Sequence, residues 1–354
     1  MLKKAAALFL VCASVATWVA CGTTSSRYLY AAIPASSQIV AYREDPNSGV
    51  LTALAGSNIT AGPSVQSLVI HPSKKYLYAA NAGENDVSLF TISSAGALTE
   101  VTPRATAGTL PNLLTMDSAG TFLYVGNAGS LSISVFSIDS GTGALTAVAG
   151  SPFPVGMSPL SIKVSPSGGF LYVTGAGSPG IIEAFSLNQG VPTVVSGSPF
   201  FTGTDPYGLA IDSSGTHLYT ANKLDNSISE FTINADGSLT ELSDSPIGET
   251  FTGPVALLID QSGKYLYVAN QASSDLSAYS IGSDGALTLL TGSPFTTGSQ
   301  PSFIASDPSG KFLFVGNQTS PVIQSYSLNT SNGILTSVAT YSVGGTPTSI
   351  VVTP

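Results

Sequence analysis

Few residues of this sequence have a type and a setting that could do chemistry: His71, His217, Lys163, Glu183 and Lys223. General acid–base work needs a group whose pKa lies near the working pH, usually a histidine, or an amine or carboxylate shifted by its surroundings. Lys163 and Glu183 lie in otherwise apolar stretches, Ile162-Lys163-Val164 and Ile182-Glu183-Ala184, so each charge must find water or a partner. Lys223 follows Asn222 in a polar loop. His71 stands in the turn His71-Pro72-Ser73, and His217 replaces an aromatic residue of a repeat, so both are read as structural. No metal-ligand spacing, phosphate loop or nucleophile elbow occurs. Asn85-Asp86 and Asp225-Asn226 have the residue types of a calcium loop, but a tight turn needs the same types. Neither a metal nor a cofactor is expected.

What must position these groups is set by an internal repeat. An aromatic-Leu-aromatic tripeptide recurs at Tyr28-Leu29-Tyr30, Tyr76-Leu77-Tyr78, Phe122-Leu123-Tyr124, Phe170-Leu171-Tyr172, His217-Leu218-Tyr219, Tyr265-Leu266-Tyr267 and Phe312-Leu313-Phe314, at intervals of 46 to 48 residues. Each unit reads as four strands, as in Pro301 to Ser306, Phe312 to Gly316, Val322 to Leu328 and Ile334 to Ala339. Asn332-Gly333, Asp236-Gly237 and Asp284-Gly285 are read as two-residue hairpin turns in which both residues take positive φ. Four antiparallel strands per unit make a propeller blade, and seven units make an all-β, seven-bladed β-propeller.

The ends of the chain fit this reading. The repeat opens on a second strand at Arg27, while Pro347 to Pro354 copies the first-strand pattern of Pro159 to Pro166. The C-terminal strand is therefore expected to pair with the N-terminal strands and close the ring, which removes two exposed sheet edges. Ile162, Leu209, Ile304 and Ile350 on first strands, with Phe90, Phe185, Phe231 and Tyr326 on third strands, form rows that are expected to pack between blades.

The segments Pro308-Ser309-Gly310-Lys311-Phe312-Leu313-Phe314-Val315-Gly316-Asn317 and Gly263-Lys264-Tyr265-Leu266-Tyr267-Val268-Ala269-Asn270 resemble the repeat of the lactonase-type seven-bladed propellers. That family includes one class of 6-phosphogluconolactonase and the carboxymuconate-cyclising enzymes, and its repeat is related to the YVTN repeats of archaeal surface proteins. The resemblance covers the whole chain after the leader. It implies an Arg-His pair after the proline that opens a first strand and a Glu after the Asn that ends a second strand. Neither is present: Pro206 is followed by Tyr207-Gly208, Pro111 by Asn112-Leu113, Asn222 by Lys223 and Asn270 by Gln271.

The first 20 residues, with Lys3 and Lys4 ahead of an apolar run from Ala5 to Ala20, read as an export signal. The run is shorter than the roughly 20 residues of a membrane-spanning helix. Trp18-Val19-Ala20-Cys21 resembles a lipoprotein processing box, so Cys21 is the expected lipidation site, residues 21–26 a tether and residues 27–354 one propeller domain. The only other cysteine, Cys12, lies inside the signal. The net charge of −9, more negative once Lys3 and Lys4 are removed, argues against a nucleic-acid partner.

These readings lead to an envelope-tethered monomer that touches the membrane only through its lipid. It binds a protein, glycan or small molecule on the face where first strands open, in a funnel lined by Asn112, Ser161, Tyr207, Ser302 and Thr348. The alternative is a lactone hydrolase that draws its catalytic groups from Lys163, Glu183, His217 and Lys223. A purely structural surface protein is the third reading.

Overall fold

The computed structural model describes residues 26–248, 251–319 and 321–353. The expected export signal, the expected lipidation site Cys21 and most of the expected tether lie outside the described residues. Alternating apolar and small polar residues give strands of six or seven residues, and second strands such as Tyr265–Asn270 are buried at every position because blades flank both faces. Seven antiparallel sheets follow one another along the chain, each in the order first, second, third, fourth strand from the centre outward. One short 3-10 turn, Pro34–Ser36, is the only helical element among the described residues.

Closure occurs as the sequence implies. The last strand, Ser349–Val352, pairs with Arg27–Ile33, placing Ala31 opposite Ile350 and Leu29 opposite Val352. The Thr353 hydroxyl accepts from the Tyr28 amide at 3.0 Å. In the last blade, Asp307 takes the same part by accepting from the Phe312 amide at 2.8 Å. Leu29, Tyr42 and Ile350 of the first blade pack with Phe312, Phe314 and Ile323 of the last.

The tripeptide proves to be an inter-blade latch. In five units the tyrosine at its third position donates its hydroxyl to the carbonyl of a glycine in the next blade's hairpin: Tyr30 to Gly96, Tyr78 to Gly143, Tyr172 to Gly237, Tyr219 to Gly285 and Tyr267 to Gly333, at 2.7 to 3.0 Å. The first aromatic covers the same glycine so closely that a Cβ there would collide with the ring, as Tyr265 does over Gly333 and Phe312 over Gly49 across the closing seam.

Two expectations change in detail. In the hairpins only Gly237, Gly285 and Gly333 take positive φ; Asp236, Asp284 and Asn332 do not. The Gly237 and Gly285 loops are one residue longer than a two-residue turn and the Gly333 loop two residues longer: Gly237 donates to Asn234, and Asn234 donates to Ser238, whereas Asn329 donates to Ile334. This is a turn followed by a left-handed glycine, and Asp236 serves instead as acceptor for the Ser238 amide. The fourth strands of blades 3 to 6 are each broken into two short pieces at a Ser-Pro step. Proline has no amide hydrogen to give the ladder. The preceding serine hydroxyl accepts from the third strand in its stead, Ser151 from Val135, Ser198 from Ala184, Ser245 from Glu230 and Ser293 from Ala278.

Candidate functional site

First strands line the axis of the ring, and where they open they leave a central funnel of about 300 Å³ to which all seven blades contribute. We call this end the mouth; it also carries the loops joining second to third strands. The base, at the opposite end, carries the turns joining first to second strands.

All five residues expected to line the funnel do so. Two of their hydroxyls already tie blades together: Thr348 donates to the Gln66 carbonyl at 2.8 Å, and Ser302 lies 3.3 Å from the carbonyls of Gly316 and Pro347. Asn112 differs, because its Oδ1 is buried without a partner. Its amide nitrogen is thus the end left to donate into the funnel. Tyr207 stands at the rim with the Lys223 ammonium 4.4 Å above its ring, a cation–π contact.

Lys163 is the only amine, carboxylate or imidazole among the funnel-lining residues. Its side chain is exposed to the funnel, and the blades around the axis lower its pKa from the ordinary lysine value by partial desolvation. No hydrogen bond or ion pair of Lys163 is found among the described residues.

The other candidates stand apart from it. Glu183 faces Val173 across its sheet while Lys163 faces Tyr172, so the second strand separates the two side chains. Burial pushes the Glu183 carboxyl up to about 7. It occupies a place where blades 2, 3, 5 and 6 carry a serine bonded to the strand-ending Asn, as Ser229 is to Asn222 at 2.9 Å. In its own blade that Asn is Gly175, and Met157 fills the space so tightly that a Cβ would strike its sulfur. His217 lies at the base, with Nδ1 3.0 Å from Asp212 and its ring over Gly285. His71 is held between Ser73 and the Gly120 carbonyl. Both imidazoles contact groups of the propeller itself and lie away from the funnel. Asn85 and Asn226 accept from the backbone amides of Leu110 and Gly253 in the following blades, which is the work of a turn and a blade link.

The family profile described as lactonase, 7-bladed beta-propeller, matches residues 56–159 and 161–352. The chain belongs to that family. Solved structures share the fold of this lactonase-family propeller. A Bacteroides fragilis protein provisionally assigned as a 6-phosphogluconolactonase is 23% identical, with a TM-score of 0.78, covering 94% of this chain and 99% of its own. The periplasmic gluconolactonase PpgL of Pseudomonas aeruginosa is 20% identical, with a TM-score of 0.76 over 93% and 99%. A Lactobacillus plantarum protein is 21% identical, with a TM-score of 0.79 over 92% and 99%. No curated protein sequence matches significantly.

Within this family member the amide side chains of Gln66, Gln271 and Gln318 also line the funnel, and Gln271 donates to Gln318 at 3.1 Å. Sequence reasoning passed over them as ligand contacts. The signal was present, since Gln271 and Gln318 each follow a strand-ending Asn, the place where the family resemblance implies a glutamate.

Proposed function

We propose that the protein is an exported hydrolase of small cyclic esters, working in the central funnel with Lys163 as general base. The observation that carries this is the isolation of Lys163: one amine, with no carboxylate among the funnel-lining residues, facing the axis of a lactonase-family fold. The periplasmic relative from Pseudomonas aeruginosa is a gluconolactonase, which belongs to the same reaction class.

In this reading the neutral Lys163 amine takes a proton from a water molecule as the water oxygen bonds to the lactone carbonyl carbon. The resulting oxyanion accepts a hydrogen bond from the Asn112 amide. When the ring C–O bond breaks, the Lys163 ammonium returns its proton to the departing alkoxide, and a hydroxy acid leaves.

Export and acylation of Cys21 belong to the same proposal and rest on the leader sequence. The test is a pH-stat assay of the soluble domain on δ-gluconolactone and unsubstituted γ- and δ-lactones, with spontaneous opening subtracted. A Lys163→Met variant that folds normally should lose about 10²- to 10⁴-fold in rate. Wild-type protein that accelerates none of these lactones defeats the hydrolase reading. The absence of a carboxylate or imidazole from the funnel lining favours a second reading, a binding module. It predicts saturable calorimetric heats with no acid released.

A further inference from the structure

We infer that the substrate carries an aliphatic chain, its ring seated in the funnel and its chain lying over the mouth of blades 3 to 5. The inference rests on the hydrolase reading and adds a substrate class to it. Nine large apolar side chains are exposed among the described residues. Val50, Val101, Val194 and Leu289 are scattered over hairpins and outer strands, as single exposed residues are on any protein. The other five, Leu110, Leu131, Phe201, Tyr207 and Leu224, all lie on the mouth side of blades 3 to 5. Blades 2, 6 and 7 present amides there, Gln66, Gln271 and Gln318, and blade 1 presents Thr348. The exposed apolar side chains are thus concentrated on the mouth side of blades 3 to 5, beside the polar groups of Asn112 and Lys223.

Two of the leucines occupy positions that the fold does not favour for them. Leu110 and Leu131 have φ of 52° and 50°, in the left-handed region. The residues at the place of Leu110 in other blades are Ser64, Asp205, Gly253 and Gln300, and at the place of Leu131 they are Asn85, Asn226 and Ser274, all with positive φ. Short polar residues and glycine tolerate that conformation; a leucine does so at a cost. Burial does not offset the cost here, since Leu110 is 49% and Leu131 40% exposed. An apolar occupant outside the chain supplies the missing reason.

Continuity with the funnel identifies that occupant as part of a small ligand. Tyr207 both lines the funnel and stands in the exposed belt, Leu110 lies two residues from the funnel-lining Asn112, and Leu224 adjoins Lys223, which sits on Tyr207. A lactone bearing an alkyl chain places its polar ring among amides and its chain along these leucines.

The experiment measures kcat/KM for γ-butyrolactone, γ-hexalactone, γ-octalactone and γ-decalactone, and calorimetric binding of the same series to Lys163→Met protein. Each methylene that reaches the belt should improve kcat/KM and affinity by about two- to fourfold. In a Leu110→Ser/Leu224→Ser variant the ratio of the longest to the shortest lactone should fall at least tenfold. Equal turnover along the series, or a chain-length slope that survives the double substitution, overturns the inference. Chain-length-dependent binding with no turnover in wild-type protein supports it and sinks the hydrolase reading alone. A dimer in light scattering that the double substitution dissociates would assign the belt to a second copy of the chain and overturn the inference.

Discussion

The Tyr267 hydroxyl donates to the Gly333 carbonyl across 2.8 Å, joining residues 66 positions apart in neighbouring blades. The same bond recurs at four other blade junctions. It explains why the repeat keeps tyrosine at a position where phenylalanine would fill the space as well. Burial and, secondarily, Asp260 push the Tyr267 hydroxyl far above the ordinary tyrosine pKa, so it remains a donor at any physiological pH.

Tyr267→Phe leaves the Gly333 carbonyl buried without its partner. Stability should fall by about 1–3 kcal/mol. Tyr124→Phe, at a junction where no such bond is formed among the described residues, should cost clearly less. Urea unfolding of the two variants side by side checks the difference.

Ile350 is 1% exposed in the seam where the last strand meets the first blade. Ile350→Asp buries a charge with no partner at the one junction where the two chain ends meet, so the loss should exceed about 3 kcal/mol. The variant is expected to elute as aggregate or to lose cooperative unfolding, whereas Ile350→Val should remain folded.

Glu44 is buried beside Asp307, with Arg27 3.7 Å away, and its two oxygens lack hydrogen-bond partners. Burial first, then the Asp307 charge, push its carboxyl up to about 7 from the ordinary glutamate value of 4.5. A carboxyl that holds its proton more tightly when folded contributes stability below the unfolded pKa, and that contribution disappears as pH rises through the folded one. Glu183, also raised to about 7, acts in the same direction. Stability should therefore decline between about pH 4.5 and 7. Glu44→Gln, which copies the protonated form, should flatten this decline in thermal melts taken across that window.

If Lys163 acts as base, only its neutral form is active, so kcat/KM for lactone opening should climb with pH. The midpoint should lie below the ordinary lysine value of 10.5, because desolvation lowers it. A rate profile that is flat from pH 6 to 10 after correction for spontaneous opening would remove Lys163 from the role.

Replacing Cys21 with serine should move the protein from the membrane fraction to the soluble one, judged by fractionation and by loss of metabolic labelling with a fatty acid. Identical fractionation of the two forms would refute the anchor.

The ring was legible because every blade repeats the same pairing, so Tyr28 through Phe314 carry one message seven times. The C-terminal strand could be placed because Pro347 to Pro354 copies a pattern seen elsewhere in the chain. Turn geometry was less legible: Asp236-Gly237 suits either of two hairpin loops, and the choice falls to the Asn234–Ser238 pairing. At the funnel, Asn112 and Ser302 look alike as polar residues after an opening proline. Only the structure shows that Ser302 bridges two backbone carbonyls while Asn112 keeps a free amide. The belt of leucines stayed hidden because its members come from separate loops, and a leucine after Thr109 or Ser130 carries no mark of a positive φ.

Arg27, where the propeller begins, is fixed at the base by a 2.6 Å contact with Asp307. A tether through the residues upstream of Arg27, as proposed above, would join the ring at that underside. The opening into the axis would then look outward, like a cup standing on its foot, and solutes arriving from the bulk would meet it without the ring having to tip over.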